Sequence, residues 1–142
     1  MLKTIPTIIS PEFMKVMMEM GHSDYMILAD ANFPGTSHAR RIIRMDQVEI
    51  PELLEAILKF FPLDHFIENP VKLMRNLPEE PVPEIWEEYR KILKEHNEER
   101  AFHDFEFLDR LSFYEEAEKA YVIVQTGDTA RYANIMLQKG VC

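Results

Sequence analysis

Hydrophobic residues near the start of the chain follow first a helical and then a strand pattern. An N-cap serine and a proline at the first helical position, Ser10-Pro11, precede apolar residues spaced three or four apart. This spacing predicts a helix over 11–20 that ends at Gly21. The next apolar run, Met26–Ala29, has no alternation, which is typical of a strand covered on both faces of a sheet. We expect this strand to end at Asp30.

The rest of the chain continues to alternate between the two patterns. Further strands are predicted over 42–45, 71–74, 121–125 and 133–138. Further helices are predicted to begin at Pro51, at Pro83 and at the S-x-x-E capping box Ser112–Glu115, the last of them reaching about Lys119. The alternation predicts a single three-layer α/β domain over 1–142, with a central sheet flanked by helices.

Ligands of such sheets bind beyond the carboxyl ends of the strands. This rule directs attention to Asp30 and to the loop that begins at Gln125.

The charge balance restricts the class of partner. The 142 residues include 16 Lys and Arg against 25 Asp and Glu, a net charge of −9. Nucleic acids and anionic membranes require a basic surface, so neither is an expected partner, and an uncharged or weakly polar ligand fits better. No apolar run approaches the roughly 20 residues of a membrane span, and the N-terminal residues do not have the pattern of a secretory signal. The only cysteine, Cys142, cannot form an intrachain disulfide, which favours the reducing cytoplasm.

General motifs leave a small set of polar residues as candidates. The chain has no G-x-G-x-x-G, no Walker A loop, no Cys/His zinc pattern and no G-x-S-x-G elbow, and His22, Asp24 and Asp30 alone offer too few ligands for a metal. We therefore expect neither a metal nor a cofactor. His22 follows a predicted helix, whose negative end favours an imidazolium and hence a general acid. A histidine that only caps the helix dipole, and an Asp30 that only forms a turn, are the alternatives. The Glu-rich stretch 79–88 is interpreted as solvent-facing.

Seven short motifs resemble those of the L-fucose mutarotase / D-ribose pyranase family. They are I-S-P-E at 9–12, E-M-G-H-S-D at 19–24, L-A-D-A-N-F-P at 28–34, F-P-L-D at 61–64, R-L-S-F-Y-E at 110–115, V-Q-T-G at 124–127 and Y-A-N-I at 132–135. The M-L-K start, the F-Y-E segment and the A-N-F-P loop are closer to the L-fucose branch. The segment 34–50 is variable within the resemblance and here carries His38 and Arg40-Arg41.

The resemblance implies an activity and a set of site residues. The family exchanges the anomers of a free sugar without a metal or a cofactor, in rings that are commonly decamers of two pentamers. Its catalytic histidine corresponds to His22. Its substrate-contacting positions fall at Asp30, Arg110, Tyr132, Ala133 and Asn134, and further motif positions at Asp64 and Tyr114.

Several points stay open at this stage. The implied sugar is L-fucose, and the alternatives are a D-ribose pyranase and a non-catalytic monosaccharide-binding protein. The second acid/base group is not assigned, with Tyr132 as one candidate. Exposed Met and Phe side chains on the helix 11–20 are expected to pack against neighbouring copies in a homodecamer.

Overall fold

Helices and strands alternate along the chain in a computed structural model that describes residues 1–142. The strands are β1 (Tyr25–Ala29), β2 (Ile42–Met45), β3 (Val71–Met74), β4 (Glu106–Leu108), β5 (Val122–Thr126) and β6 (Ile135–Gln138). The helices are α1 (Pro11–Glu19), α2 (Gly35–His38), α3 (Ile50–Ile57), α4 (Ile85–Glu95) and α5 (Arg110–Lys119). The predicted α/β class is confirmed. The short elements α2 and β4 were not predicted.

All six strands belong to one mixed sheet with the order β2-β5-β1-β6-β3-β4. Only β6 runs antiparallel to its neighbours, β1 and β3. The other pairs, β1 with β5, β2 with β5 and β3 with β4, are parallel. One edge of the sheet, here called the carboxyl edge, therefore holds the ends of five strands and the start of β6. The opposite amino edge holds the start of β1 and the end of β6.

Helices cover both faces of the sheet, which gives the three layers. Apolar residues of α1, α3 and α4 pack with Met26 and Leu28 on one face, and those of α5 pack with Ile27 and Ala29 on the other. The alternate residues of β1 are thus buried on opposite sides, as its continuous apolar run predicts. None of the helices has the length and apolar character needed to span a membrane.

Helix α1 begins as predicted and ends within one residue of the predicted position. The Ser10 hydroxyl accepts a hydrogen bond from the Phe13 amide at 3.1 Å and caps the helix. Met20 is the C-cap, so Gly21 stands at the predicted stop, but it has no positive φ, and its amide donates to the Asp24 carboxylate at 2.8 Å. Phe13 is fully buried, so the expectation of an exposed phenylalanine on this helix is wrong, whereas Met18 is exposed.

The predicted capping box of helix α5 is wrong as well. The N-cap is Asp109, whose carboxylate accepts from the Ser112 amide at 2.9 Å. Its other oxygen accepts from the Ser112 hydroxyl at 3.0 Å. Ser112 is thus the third helical residue, and Arg110 is the first.

Candidate functional site

A cleft of about 260 Å³ opens at the carboxyl edge of the sheet. It is lined by segments that follow β1, β3 and β4 and by the loop before β6. This one cleft brings together five residues that the sequence singles out: Asp30, Arg110, Tyr114, Tyr132 and Asn134.

Asp30 is fixed at the end of β1 by its own backbone and side chain. Its amide donates to Asn134 Oδ1 at 2.7 Å, and its Oδ1 accepts from the Asn32 amide at 2.9 Å. Burial raises the pKa of this carboxyl, although nearby amide donors oppose the shift. A carboxylate offers about four acceptor positions, so Asp30 keeps capacity for ligand hydroxyls.

Two aromatic side chains of α4 bind the backbone carbonyls of the Tyr132–Ala133 segment. The Trp86 indole N–H donates to the Tyr132 carbonyl at 2.9 Å, and the Tyr89 hydroxyl donates to the Ala133 carbonyl at 2.7 Å. These bonds hold Tyr132 at a φ of 56°, in the left-handed region that non-glycine residues rarely adopt. Ala133 itself is fully buried and contributes through its backbone. Sequence reasoning missed both anchors, because the carbonyls they bind lie 46 and 44 residues further along the chain.

Helix α5 supplies a guanidinium and an aromatic surface to the cleft. The Arg110 guanidinium carbon lies 5.4 Å from the Tyr114 ring centroid. The Tyr114 ring in turn lies 5.5 Å from the Phe33 ring, edge to face. Guanidinium donors beside an aromatic wall suit a ligand that has both hydroxyl groups and an apolar face.

His22 lies at the amino edge, beside Asp64. His22 Nε2 is 3.2 Å from Asp64 Oδ2, and the imidazole packs against the Phe66 ring at 5.5 Å. The Asp64 side chain is 1% exposed and the His22 side chain is 43% exposed. Asp64 therefore contacts the histidine rather than open solvent, and it orients the imidazole while one side of the ring stays accessible.

The Asp64 carboxylate has three donors around it. The Gln138 amide donates to Oδ2 and the Phe66 backbone amide donates to Oδ1, both at 3.0 Å. Burial alone raises the pKa of this carboxyl, but these two donors and His22 together outweigh burial and lower it. Asp64 is thus ionised at neutral pH, and its carboxylate holds the His22 ring in place.

Within a single copy of the chain, His22 lies far from the cleft. Gln138, which binds Asp64, pairs with Tyr25 at the start of β1, whereas Asp30 follows the end of β1. A strand of this length, at about 3.3 Å per residue, separates the two places by roughly 16 Å. The site residues that the sequence predicts therefore lie in two groups at opposite edges of the sheet: the cleft residues, and the pair His22 and Asp64. We call these two groups half-sites.

Glu80 is a further polar residue of the site that sequence reasoning missed. The Tyr132 hydroxyl and the Arg131 guanidinium both donate to its carboxylate. The hydrogen bond from Tyr132, with the charge of Arg131, lowers the pKa of Glu80, and the same bond raises the pKa of Tyr132. The Glu80 side chain is 17% exposed although the sequence places it in a solvent-facing stretch.

Metal-ligating side chains do not cluster in the structure. No group of three or more His, Cys, Asp or Glu side chains is arranged to hold a metal ion.

Comparison with known proteins identifies relatives along nearly the whole chain. The RbsD / FucU transport protein family matches residues 3–142. The fucose mutarotase of Danio rerio is 43% identical over 150 residues, which cover 99% of this chain and 94% of that protein. A crystal structure of the fucose mutarotase in complex with L-fucose from Streptococcus pneumoniae has a TM-score of 0.93 at 45% identity and covers 99% of both chains. Bacillus subtilis RbsD complexed with D-ribose has a TM-score of 0.70 at 21% identity, with 100% of this chain and 99% of that chain covered, which shows the shared fold alone.

Proposed function

This chain belongs to the RbsD / FucU transport protein family, and we propose that it is an isomerase that interconverts the α and β anomers of L-fucose. The main observation that supports this proposal is the cleft at the carboxyl edge. It sets the hydrogen-bonding groups of Asp30 and Arg110 beside the aromatic surface of Tyr114, which suits a small deoxysugar with hydroxyls and a methyl group. Full-length similarity to fucose mutarotases supports L-fucose over D-ribose as the preferred sugar, and D-ribose is the second sugar to be tested beside it.

Anomer exchange needs two proton transfers and no redox step. An acid protonates the ring oxygen while a base removes the proton of the anomeric hydroxyl, and the opened aldehyde rotates before it closes again. We assign the acid to His22, because Asp64 holds its imidazole at 3.2 Å while one side of the ring stays accessible. Asp30, Arg110, Tyr114 and the Tyr132–Asn134 segment bind the sugar.

The separation of the half-sites supports an active site shared between copies of the chain. We propose that His22 of one copy completes the cleft of a neighbour in a homodecamer of two pentameric rings. The exposed apolar residues Met1, Leu2 and Met18 lie in and beside α1 and are available for contacts between copies. Light scattering should give a decamer at micromolar concentration. A monomer with full activity would contradict both the assembly and the shared site.

We also propose that the protein works in the cytoplasm and that residues 1–142 act as one domain. The support for the compartment is the lone cysteine, Cys142, which is exposed and unpaired.

NMR magnetisation exchange between anomers tests the function directly. We expect the wild-type protein to exchange L-fucose faster than D-ribose. His22→Ala should keep its fold, because the side chain is 43% exposed, and should lose on the order of 10²–10⁴-fold in exchange rate. His103→Ala, which removes an exposed histidine outside both half-sites, is the matched control and should behave as the wild type.

Two results would overturn this assignment. A folded His22→Ala variant with the wild-type rate removes His22 from the mechanism. A wild-type protein that binds L-fucose without exchanging its anomers is a binding protein and not an isomerase.

A further inference from the structure

Tyr132 forms a wall between two depressions of the surface. On one side is the cleft that contains Asp30 and Arg110. On the other is a larger groove of about 740 Å³, lined by Glu80, Glu84 and other acidic residues. Glu80 lines the groove only, so it can act on a sugar in the cleft through the two cleft residues it binds, Tyr132 and Arg131.

The Glu80 carboxylate is held in one orientation. Its Oε2 accepts from the Tyr132 hydroxyl, and its Oε1 is paired with Arg131. The backbone around it is fixed as well: the Glu80 amide donates to the Leu77 carbonyl at 3.0 Å, and the Asn76 side chain donates to the Glu80 carbonyl at 3.1 Å. A carboxylate placed in this way is built into the site rather than extended into solvent.

This arrangement leaves the phenol ready to receive a proton. A tyrosine hydroxyl that donates its own hydrogen to a carboxylate keeps lone pairs that can accept a second hydrogen bond. The hydrogen bond to Glu80 also raises the pKa of Tyr132, so the phenol stays protonated at neutral pH and cannot act as a phenolate base by itself.

We propose that Glu80 is the positioning residue that makes Tyr132 the second proton-transfer group of anomer exchange, by orienting the phenol and receiving its proton. The inference rests on the proposed function and supplies the base that the sequence left open.

The step balances without any additional reactant. The proton of the anomeric hydroxyl moves to the Tyr132 oxygen while the phenol proton moves to Glu80 Oε2. The electron pair of the broken O–H bond becomes the second bond of the aldehyde, and the electron pair of the broken ring C–O bond goes to the ring oxygen. That oxygen takes a proton from the His22 imidazolium. Ring closure on the other face reverses each transfer and restores the Glu80 carboxylate and the imidazolium.

The test compares two glutamates of the same groove. Glu80→Gln keeps the size of the side chain but removes the proton acceptor, and we expect the maximal L-fucose exchange rate to fall on the order of 10²-fold with little change in KM. Glu84→Gln removes the same charge from the same groove at an exposed position and should leave the rate unchanged. Circular dichroism and light scattering check the fold and assembly of both variants.

A double-mutant cycle distinguishes a proton relay, in which the Tyr132 phenol passes its proton to Glu80, from a merely structural contact. If Glu80 acts through Tyr132, Glu80→Gln should have little further effect in a Tyr132→Phe background. Added formate, a carboxylate that can accept the phenol proton, should partly restore the rate of Glu80→Ala.

Failure of the role of Glu80 and failure of the proposed function give different results in these experiments. A Glu80→Gln variant as fast as Glu84→Gln, or one whose loss adds fully to that of Tyr132→Phe, overturns the role of Glu80 while wild-type exchange still supports the isomerase. If Glu80→Gln does not fold, Glu80→Ala decides the question: a wild-type rate, or a reduced rate without formate rescue, overturns the proposal. Absence of wild-type exchange overturns the proposed function, and the relay with it.

Discussion

Replacing Gly140 with alanine tests how His22 is held at the amino edge. Gly140 follows β6 and crosses the segment that carries Asp64. Its amide donates to the Pro62 carbonyl at 2.9 Å, and the Asp64 amide donates to the Gln138 carbonyl at 3.1 Å. A Cβ at position 140 would lie 2.5 Å from the Leu63 carbonyl oxygen and 2.8 Å from the Asp64 Cα. Both neighbours are backbone atoms, so no side-chain rotation can make room.

The size of the effect follows from these distances. Ordinary contacts begin at 3.4 Å, so the Leu63 carbonyl must retreat by 3.4 − 2.5 = 0.9 Å. Overpacking of this kind costs about 1–3 kcal/mol of the free energy of unfolding. For a chain of this length each kcal/mol lowers the Tm by about 2–4 °C. The same movement displaces Asp64 from His22, now 3.2 Å apart, and a misplacement of about 1 Å can lower a rate by 10²-fold.

The matched control is Gly21→Ala, one residue before His22. A Cβ there would meet only Asp24 Oδ2 at 3.6 Å, an ordinary contact, and neither glycine has a positive φ. We expect this variant to be as stable as the wild type or more stable by about 0.4–1 kcal/mol, because alanine restricts the unfolded chain. Urea denaturation at fixed protein concentration measures the stability, and NMR exchange on L-fucose measures the rate.

Two results would refute the reasoning. Equal stability of Gly140→Ala and Gly21→Ala would show that the backbone at Leu63 and Asp64 moves aside without lowering the free energy of unfolding. A destabilised Gly140→Ala with the wild-type exchange rate would show that the position of Asp64 does not control His22.

Three further predictions concern the anchors, acid stability and metal independence. Tyr89→Phe removes the hydroxyl that binds the buried Ala133 carbonyl, so the free energy of unfolding should fall by about 1–3 kcal/mol and the exchange rate should fall with it; an unchanged urea midpoint would argue against the anchor. The folded pKa of Asp64 lies below its usual 3.8, so its stabilising effect is present above that pH and is lost as the pH falls through the folded pKa. The wild type should therefore exceed Asp64→Asn in stability most at pH 6 and progressively less below pH 3.8, as chemical denaturation at several pH values would show. Exchange should survive prolonged EDTA treatment, and loss of the rate with recovery on adding one divalent ion would contradict the cofactor-free mechanism.

The elements that were predicted well are those with strong local signals. Strand β1 was recognised because burial on both faces leaves an uninterrupted apolar run, and Ser10-Pro11 marked the start of α1 with two concordant residues. Strand β4 has three half-buried residues and no such run. At α5 the sequence offers two N-cap residues within one turn, Asp109 and Ser112, and local pattern alone favoured the wrong one.

The pairings within the site that were missed join distant segments of the chain. The carboxyl-edge rule predicted Asp30 because it concerns a single strand end. Glu80 lies 52 residues before the tyrosine it binds, and Asp64 lies 42 residues after His22. A Glu-rich stretch is usually solvent-facing, and nothing within it distinguishes Glu80 from its neighbours. Such partners follow from the path of the chain in three dimensions, which local pattern does not contain.

The reversed strand β6 relates the two half-sites to the ring assembly proposed above. Asn134, just before β6, binds Asp30 at the carboxyl edge, and Gln138 at its end binds Asp64 at the amino edge. A four-residue strand thus supports both half-sites but also keeps them at opposite edges of the sheet. A two-fold dimer would have to fit both edges into a single self-complementary patch. A head-to-tail contact lets each copy give His22 to one neighbour and take it from the other, and such contacts close into rings when the rotation permits. The position of the two half-sites at opposite edges of the sheet thus supports the ring assembly proposed above.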